Sequence, residues 1–132
     1  MIQNLKELTS NILETMFYLI EETEPIQVAY NYQYAVCIKD PKLEIILMFS
    51  RKTAIAITEN FLGTDEIEET DIVDTLKEAI NIITGNYIRI TLNDMQTKIN
   101  IPYILDVSDI KFENYNSALL FYKEEPLNIL VK

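Results

Sequence analysis

The chain has 132 residues, a usual size for one domain, and 48% of them are apolar or aromatic, enough for one sizeable core. Its 11 Lys plus Arg stand against 21 Asp plus Glu, a formal charge of −10, which argues against nucleic acid and against an anionic membrane surface as partners. No histidine is present, which excludes Ser-His and Cys-His catalysis on this chain and any His-ligated metal; two glycines exclude a Gly-rich phosphate loop, and a single cysteine excludes an internal disulfide.

In chain order, Ile2, Leu5, Leu8, Ile12, Met16 and Leu19 recur at helical spacing and predict a helix over about residues 2–22, stopped by Pro25. Val28, Tyr30, Tyr32, Tyr34, Val36 and Ile38 then alternate with polar residues, as in a half-buried strand. Asp40-Pro41-Lys42 is a turn, and the apolar run 43–49 is a central strand. Ser50-Arg51-Lys52 turns again, and 53–61 is β-rich. Gly63 and the acidic stretch 65–71 read as a linker.

A second helix is predicted from about Thr70, with Ile72, Leu76, Ala79, Ile80, Ile83 and Tyr87 on its core stripe and acidic residues in its first turn. After Asn93-Asp94, Ile99, Ile101, Tyr103 and Leu105 alternate; residues 117–122 and 127–131 are further strands, separated by a turn at 124–126. The order is helix then three strands, twice. The expected fold is therefore α/β of the α+β type. One domain over 1–132 is built of two α-β-β-β halves, about 1–62 and 70–132, with pseudo-twofold symmetry. Two main helices pack on one face of a largely antiparallel sheet. No run has the roughly 18 apolar residues of a membrane span, and the start lacks the pattern of a signal peptide, so a cytoplasmic protein is expected.

On a helical wheel, Asp74, Glu78, Asn81 and Gly85 fall opposite Leu76 and form one exposed strip. Asn and Gly are poor helix formers to place where packing does not require them. Gly85 either leaves room for a partner's backbone or breaks the helix at Thr84-Gly85-Asn86. The first helix repeats the strip as Ser10, Glu14, Phe17 and Glu21, which turns Phe17 and Tyr18 away from the core stripe as a candidate protein contact. The acidic residues Asp65, Glu66, Glu68, Glu69 and Asp71 lack the spacing of a Ca²⁺ loop and read as a linker and helix start. Cys37, in a strand with Lys39 as its one basic neighbour, reads as a buried thiol.

Asp74-x-x-x-Glu78-x-x-Asn81, followed about twenty residues later by Pro102, resembles the signature of the CheC/CheX/FliY phosphatases of bacterial chemotaxis. DTLKEAINIITGNYI and INIPYIL resemble CheX most. The resemblance implies a phosphorylated CheY-like response regulator as partner and hydrolysis of its aspartyl phosphate as the reaction. Glu78 would bind a lysine of the regulator, Asn81 would place the attacking water, and Asp74 and Gly85 would face the partner. It implies no metal or cofactor on this chain, with Mg²⁺ on the regulator. One intact motif, with Phe17 at the other amide position, implies a CheX-like homodimer. The alternative is a non-catalytic interaction domain that uses the same strip, or the Phe17/Tyr18 surface, to bind a receiver or itself. A weaker third reading is an adaptor that pairs through its sheet edge.

Overall fold

The computed structural model describes residues 2–96 and 98–132. Helix α1 spans Ile2–Phe17, strands β1 and β2 span Tyr34–Asp40 and Leu43–Phe49, and helices α2 and α3 span Arg51–Leu62 and Glu69–Ile90. Strand β3 (Tyr103–Leu105), two 3-10 turns, and strands β4 (Asn116–Tyr122) and β5 (Glu125–Val131) complete the chain. The five strands form one antiparallel sheet in the order β3-β1-β2-β5-β4. An isolated antiparallel bridge from Glu22 to Phe121 lies beyond β4. Each helix crosses to the far hairpin: α1 packs on β4 and α3 on β1.

The main core lies between the helices and one sheet face. Leu13, Phe17, Phe49, Leu76, Ile80 and Tyr87 are fully buried there. The opposite face carries Ala35, Cys37, Ile46, Met48 and Leu130, covered by Tyr32, by Leu105 at the end of β3, and by Val107, Ile110 and Tyr115 from the segment after it. Every residue of β2 is therefore buried, which is why it reads as an apolar run rather than an alternation. Its one charge, Glu44, accepts a hydrogen bond from the Tyr115 hydroxyl and lies 3.8 Å from Lys39 Nζ.

Three sequence expectations change. Residues 53–61 are helical, so three helices pack on the sheet rather than two. Thr53, Ile55 and Ile57 alternate as in a strand, but the buried set Thr53, Ala54, Ile57 and Thr58 has helical spacing. Ser50 Oγ caps the start by accepting from Thr53 N–H at 3.2 Å, and Gly63 ends the helix at φ 70°, its N–H bonded to Glu59 C=O at 2.8 Å. Second, α1 stops at Phe17 rather than near residue 22. Tyr18 takes a left-handed φ of 55° and Leu19 N–H closes on Leu13 C=O at 2.9 Å. Third, both alternating segments are shorter as strands. β1 begins at Tyr34, with Ile26 fully exposed upstream. β3 begins only after Pro102, which lacks the N–H a ladder needs, and the chain before it lies against α3 instead of in the sheet.

Candidate active site

Helix α3 is held at its start by charge. Asp71 Oδ2 accepts from Glu68 N–H at 2.8 Å, a capping-box contact, and Glu69 and Asp71 complement the positive end of the helix dipole. Arg51 at the start of α2 donates to Glu69 Oε1 at 2.6 Å, and the Tyr34 hydroxyl donates to Glu69 Oε2 at 2.8 Å. The guanidinium holds the Glu69 carboxyl below the usual range. These contacts tie the first turn of α3 to α2 and β1. The acidic stretch is thus a helix start and its fastening; among the described residues no group of three Asp, Glu, Cys or His could hold a metal ion.

The buried stripe of α3 includes Ile72, Leu76, Ala79, Ile80, Ile83 and Tyr87. Opposite it, Asp74, Glu78 and Asn81 are exposed on one face. The side chain of none of the three forms a hydrogen bond or ion pair with another described residue. Glu78 and Asn81, three apart, are neighbours on the helix surface. Grooves of about 710 Å³ beside β4 and about 700 Å³ beside β3 lie away from this face. An exposed carboxylate can grip a cation, and an exposed amide can donate to and accept from one water at once.

Gly85 does not break α3, which continues to Ile90. Nor is the space above it open, because Ile99 Cδ1 lies 3.1 Å from where a β-carbon would stand. The alternation of residues 99, 101, 103 and 105 hid this neighbour, since it placed Ile99 in the sheet.

Residues 38–122, more than half of the chain and the whole of α3, match the family model described as chemotaxis phosphatase CheX. The chain belongs to the CheX family. Solved structures of CheX proteins share the fold. CheX from Vibrio vulnificus is 16% identical with a TM-score of 0.70, covering 98% of this chain and 93% of that one. CheX from Desulfovibrio desulfuricans is 20% identical with a TM-score of 0.66, covering 98% and 96%. The CheX-CheY complex with BeF3 and Mg²⁺ from Borrelia burgdorferi contains a chain 16% identical with a TM-score of 0.69, covering 98% and 95%. No curated protein matches the chain.

In this CheX-family chain the strip on α1 is not the one expected. Phe17 is fully buried, its ring 5.0 Å from that of Phe61, so it offers no contact surface; Tyr18 is exposed. Ser10 donates to Glu21 Oε1 at 2.8 Å. The stripe is turned because Thr9 belongs to the core, its hydroxyl satisfied by Leu5 C=O at 2.7 Å, whereas Met16 is exposed. Buried Leu5, Thr9, Ile12, Leu13 and Phe17 answer position for position to Ile72, Leu76, Ala79, Ile80 and Thr84. On that pairing Glu7, Asn11 and Glu14 answer to Asp74, Glu78 and Asn81. The amide position is still not an amide, for a different reason: Glu14 stands there. Cys37 is buried, and burial pushes its thiol pKa up; its Sγ donates to the Tyr103 hydroxyl at 3.4 Å.

Proposed function

We propose that this CheX-family chain accelerates hydrolysis of the aspartyl phosphate of a CheY-like response regulator, using the exposed face of α3. The observation that carries this reading is an outward carboxylate and amide, Glu78 and Asn81, one turn apart and with no side-chain partner among the described residues, in a chain whose family is one of phosphatases. The CheX-CheY complex of Borrelia burgdorferi supports the choice of partner.

Glu78 pins a lysine of the regulator in a charge-assisted contact. The Asn81 amide holds a water in line with the phosphorus. Water oxygen bonds to phosphorus as the bond from phosphorus to the aspartyl oxygen breaks, regenerating the carboxylate; inorganic phosphate leaves, and the water's proton passes to it or to solvent. An acyl phosphate needs no protein nucleophile, and positioning alone can supply several kcal/mol, up to about 7–11 in ideal cases. The amide does not titrate, so its contribution does not depend on its protonation. Mg²⁺ and the acceptor carboxylate belong to the regulator. Asp74 lies one turn before Glu78 on the same face and adds to the partner-facing surface. The chain acts as one domain of two half-repeats, about 1–62 and 70–132. It pairs as a homodimer through sheet edges or an apolar patch, leaving the α3 face open.

The test is phosphate release from a panel of phosphorylated CheY-type receivers under single-turnover conditions. Wild type should accelerate release from at least one. Asn81→Ala should abolish the acceleration while folding and receiver binding survive, because an exposed amide without partners contributes within about 0.5 kcal/mol to stability. Wild-type rates for Asn81→Ala eliminate the mechanism. Binding without acceleration by wild type supports an interaction domain instead.

A further inference from the structure

Glycine is among the poorest helix formers, yet α3 runs through Gly85 without interruption. The space above it explains the residue. A β-carbon there would meet Ile99 Cδ1 at 3.1 Å, tighter than ordinary van der Waals contact. Ile99 is partly buried and packs against the main core. The segment that carries it is fastened on both sides of Ile99 to the β1–β2 hairpin. Lys42 Nζ lies 3.2 Å from Asp94 Oδ2, and Asn100 Nδ2 donates to the Lys39 carbonyl. Asp94 N–H also bonds Ile88 C=O at 3.2 Å, tying the segment to the end of α3. Ile99 is thus drawn down onto α3 at a defined level. Gly85 follows Asn81 by four residues, about 6 Å along the axis and about 40° around it. Ile99 therefore closes the site face one turn beyond the water-placing amide.

We propose that Gly85 and Ile99 form the end wall of the regulator-docking face, with Ile99 seating the receiver beside Asn81 and Gly85 as the positioning residue that admits Ile99. This rests on the phosphatase reading above. With a methyl at position 85, Ile99 Cδ1 must give by a few tenths of an ångström, and a shift outward carries it into the space a docked receiver would occupy. The wall then obstructs docking while Asn81 and Glu78 stay in place, so the defect is in KM rather than kcat.

The experiment measures kcat and KM with a CheY-type receiver that wild type dephosphorylates. Gly85→Ala should raise KM about tenfold, with kcat within about twofold. Adding Ile99→Val removes the clashing Cδ1 and should return KM to within about threefold of wild type. Ile99→Ala, which deletes the wall and leaves α3 intact, should also raise KM. A normal KM in folded Gly85→Ala, or a double variant no better than the single one, overturns the proposal. If Gly85→Ala does not fold, a normal KM in Ile99→Ala does so. A wild type that accelerates no receiver brings down the phosphatase reading alone. The wall is then judged by Kd for receivers loaded with Mg²⁺ and beryllofluoride, where the same order of variants is expected, and no binding by wild type overturns both.

Discussion

Glu78 stands on the surface with no side-chain partner among the described residues, so its charge is available to a second molecule. If it docks a lysine, Glu78→Ala should raise the Kd for a beryllofluoride-loaded receiver, and the difference from wild type should shrink as salt rises and screens the pair. Titrations at low and high ionic strength check this; a salt-independent difference would contradict an ionic contact. Glu14 offers a comparison on the other long helix. It is equally exposed, but on the burial pairing it occupies the place of the amide rather than of the docking carboxylate. Glu14→Ala should leave turnover within about twofold of wild type, since it removes neither the water-holding group nor the lysine contact.

Among the elements, α2 was misread and α1 misplaced, each for a local reason. β-branched residues at every second position mimic a strand over 53–57, yet Ser50 and Gly63 bracket a helix with standard caps. Ser50→Ala should cost about 1 kcal/mol in denaturant unfolding, because Thr53 N–H loses its acceptor. For α1, the decisive residue is Phe17, buried in the core with its ring against that of the exposed Phe61 of α2. Phe17→Ala should destabilise by about 3–5 kcal/mol, the range for a fully buried phenylalanine. A loss under 1 kcal/mol would return Phe17 to the surface role its place in the sequence suggests.

For the whole molecule, tyrosines held protonated by their surroundings set an alkaline limit. Burial first, then the nearby Tyr30 hydroxyl, push Tyr32 up to about 12; its hydrogen bond with Cys37, then burial, does the same for Tyr103. The unfolded chain releases these protons near pH 10 and the folded chain only near 12. The stability they contribute is therefore full below pH 10 and is lost as pH rises through about 12. Urea midpoints should fall from about pH 9 upward, as the unfolded chain releases first the Cys37 thiol proton and then these phenol protons ahead of the folded chain; a flat profile to about pH 11.5 would count against these groups as the cause. Assembly is the other property at this scale. The edge strand β3 and its approach expose Ile101, Tyr103 and Ile104, an apolar edge on which the proposed homodimer could close. Sedimentation across the micromolar range should show a dimer, and a concentration-independent monomer would remove that proposal.

The amino-acid pattern by itself determined the elements whose periodicity and surroundings agree. The α3 stripe from Ile72 to Tyr87, the apolar β2 and the hairpin strands β4 and β5 are all legible, because α3 has one clear period and the strands are short apolar runs with clear stops. The outward position of Glu78 and Asn81 followed from the same 3.6-residue period. Tertiary structure decided what periodicity leaves ambiguous. Thr9 enters the core because its hydroxyl bonds its own helix backbone, and that rotates α1 and buries Phe17. Residues 53–61 become a helix because a buried face at helical spacing outweighs β-propensity. Ile99 leaves the sheet register because Asp94 and Asn100 bind the β1–β2 hairpin and Gly85 offers a place to pack. The partners of Ile99, namely Gly85 and the β1–β2 hairpin, are distant in sequence and no local window of residues contains them, whereas Thr9 and residues 53–61 carry local signals whose weight is set by the core they meet.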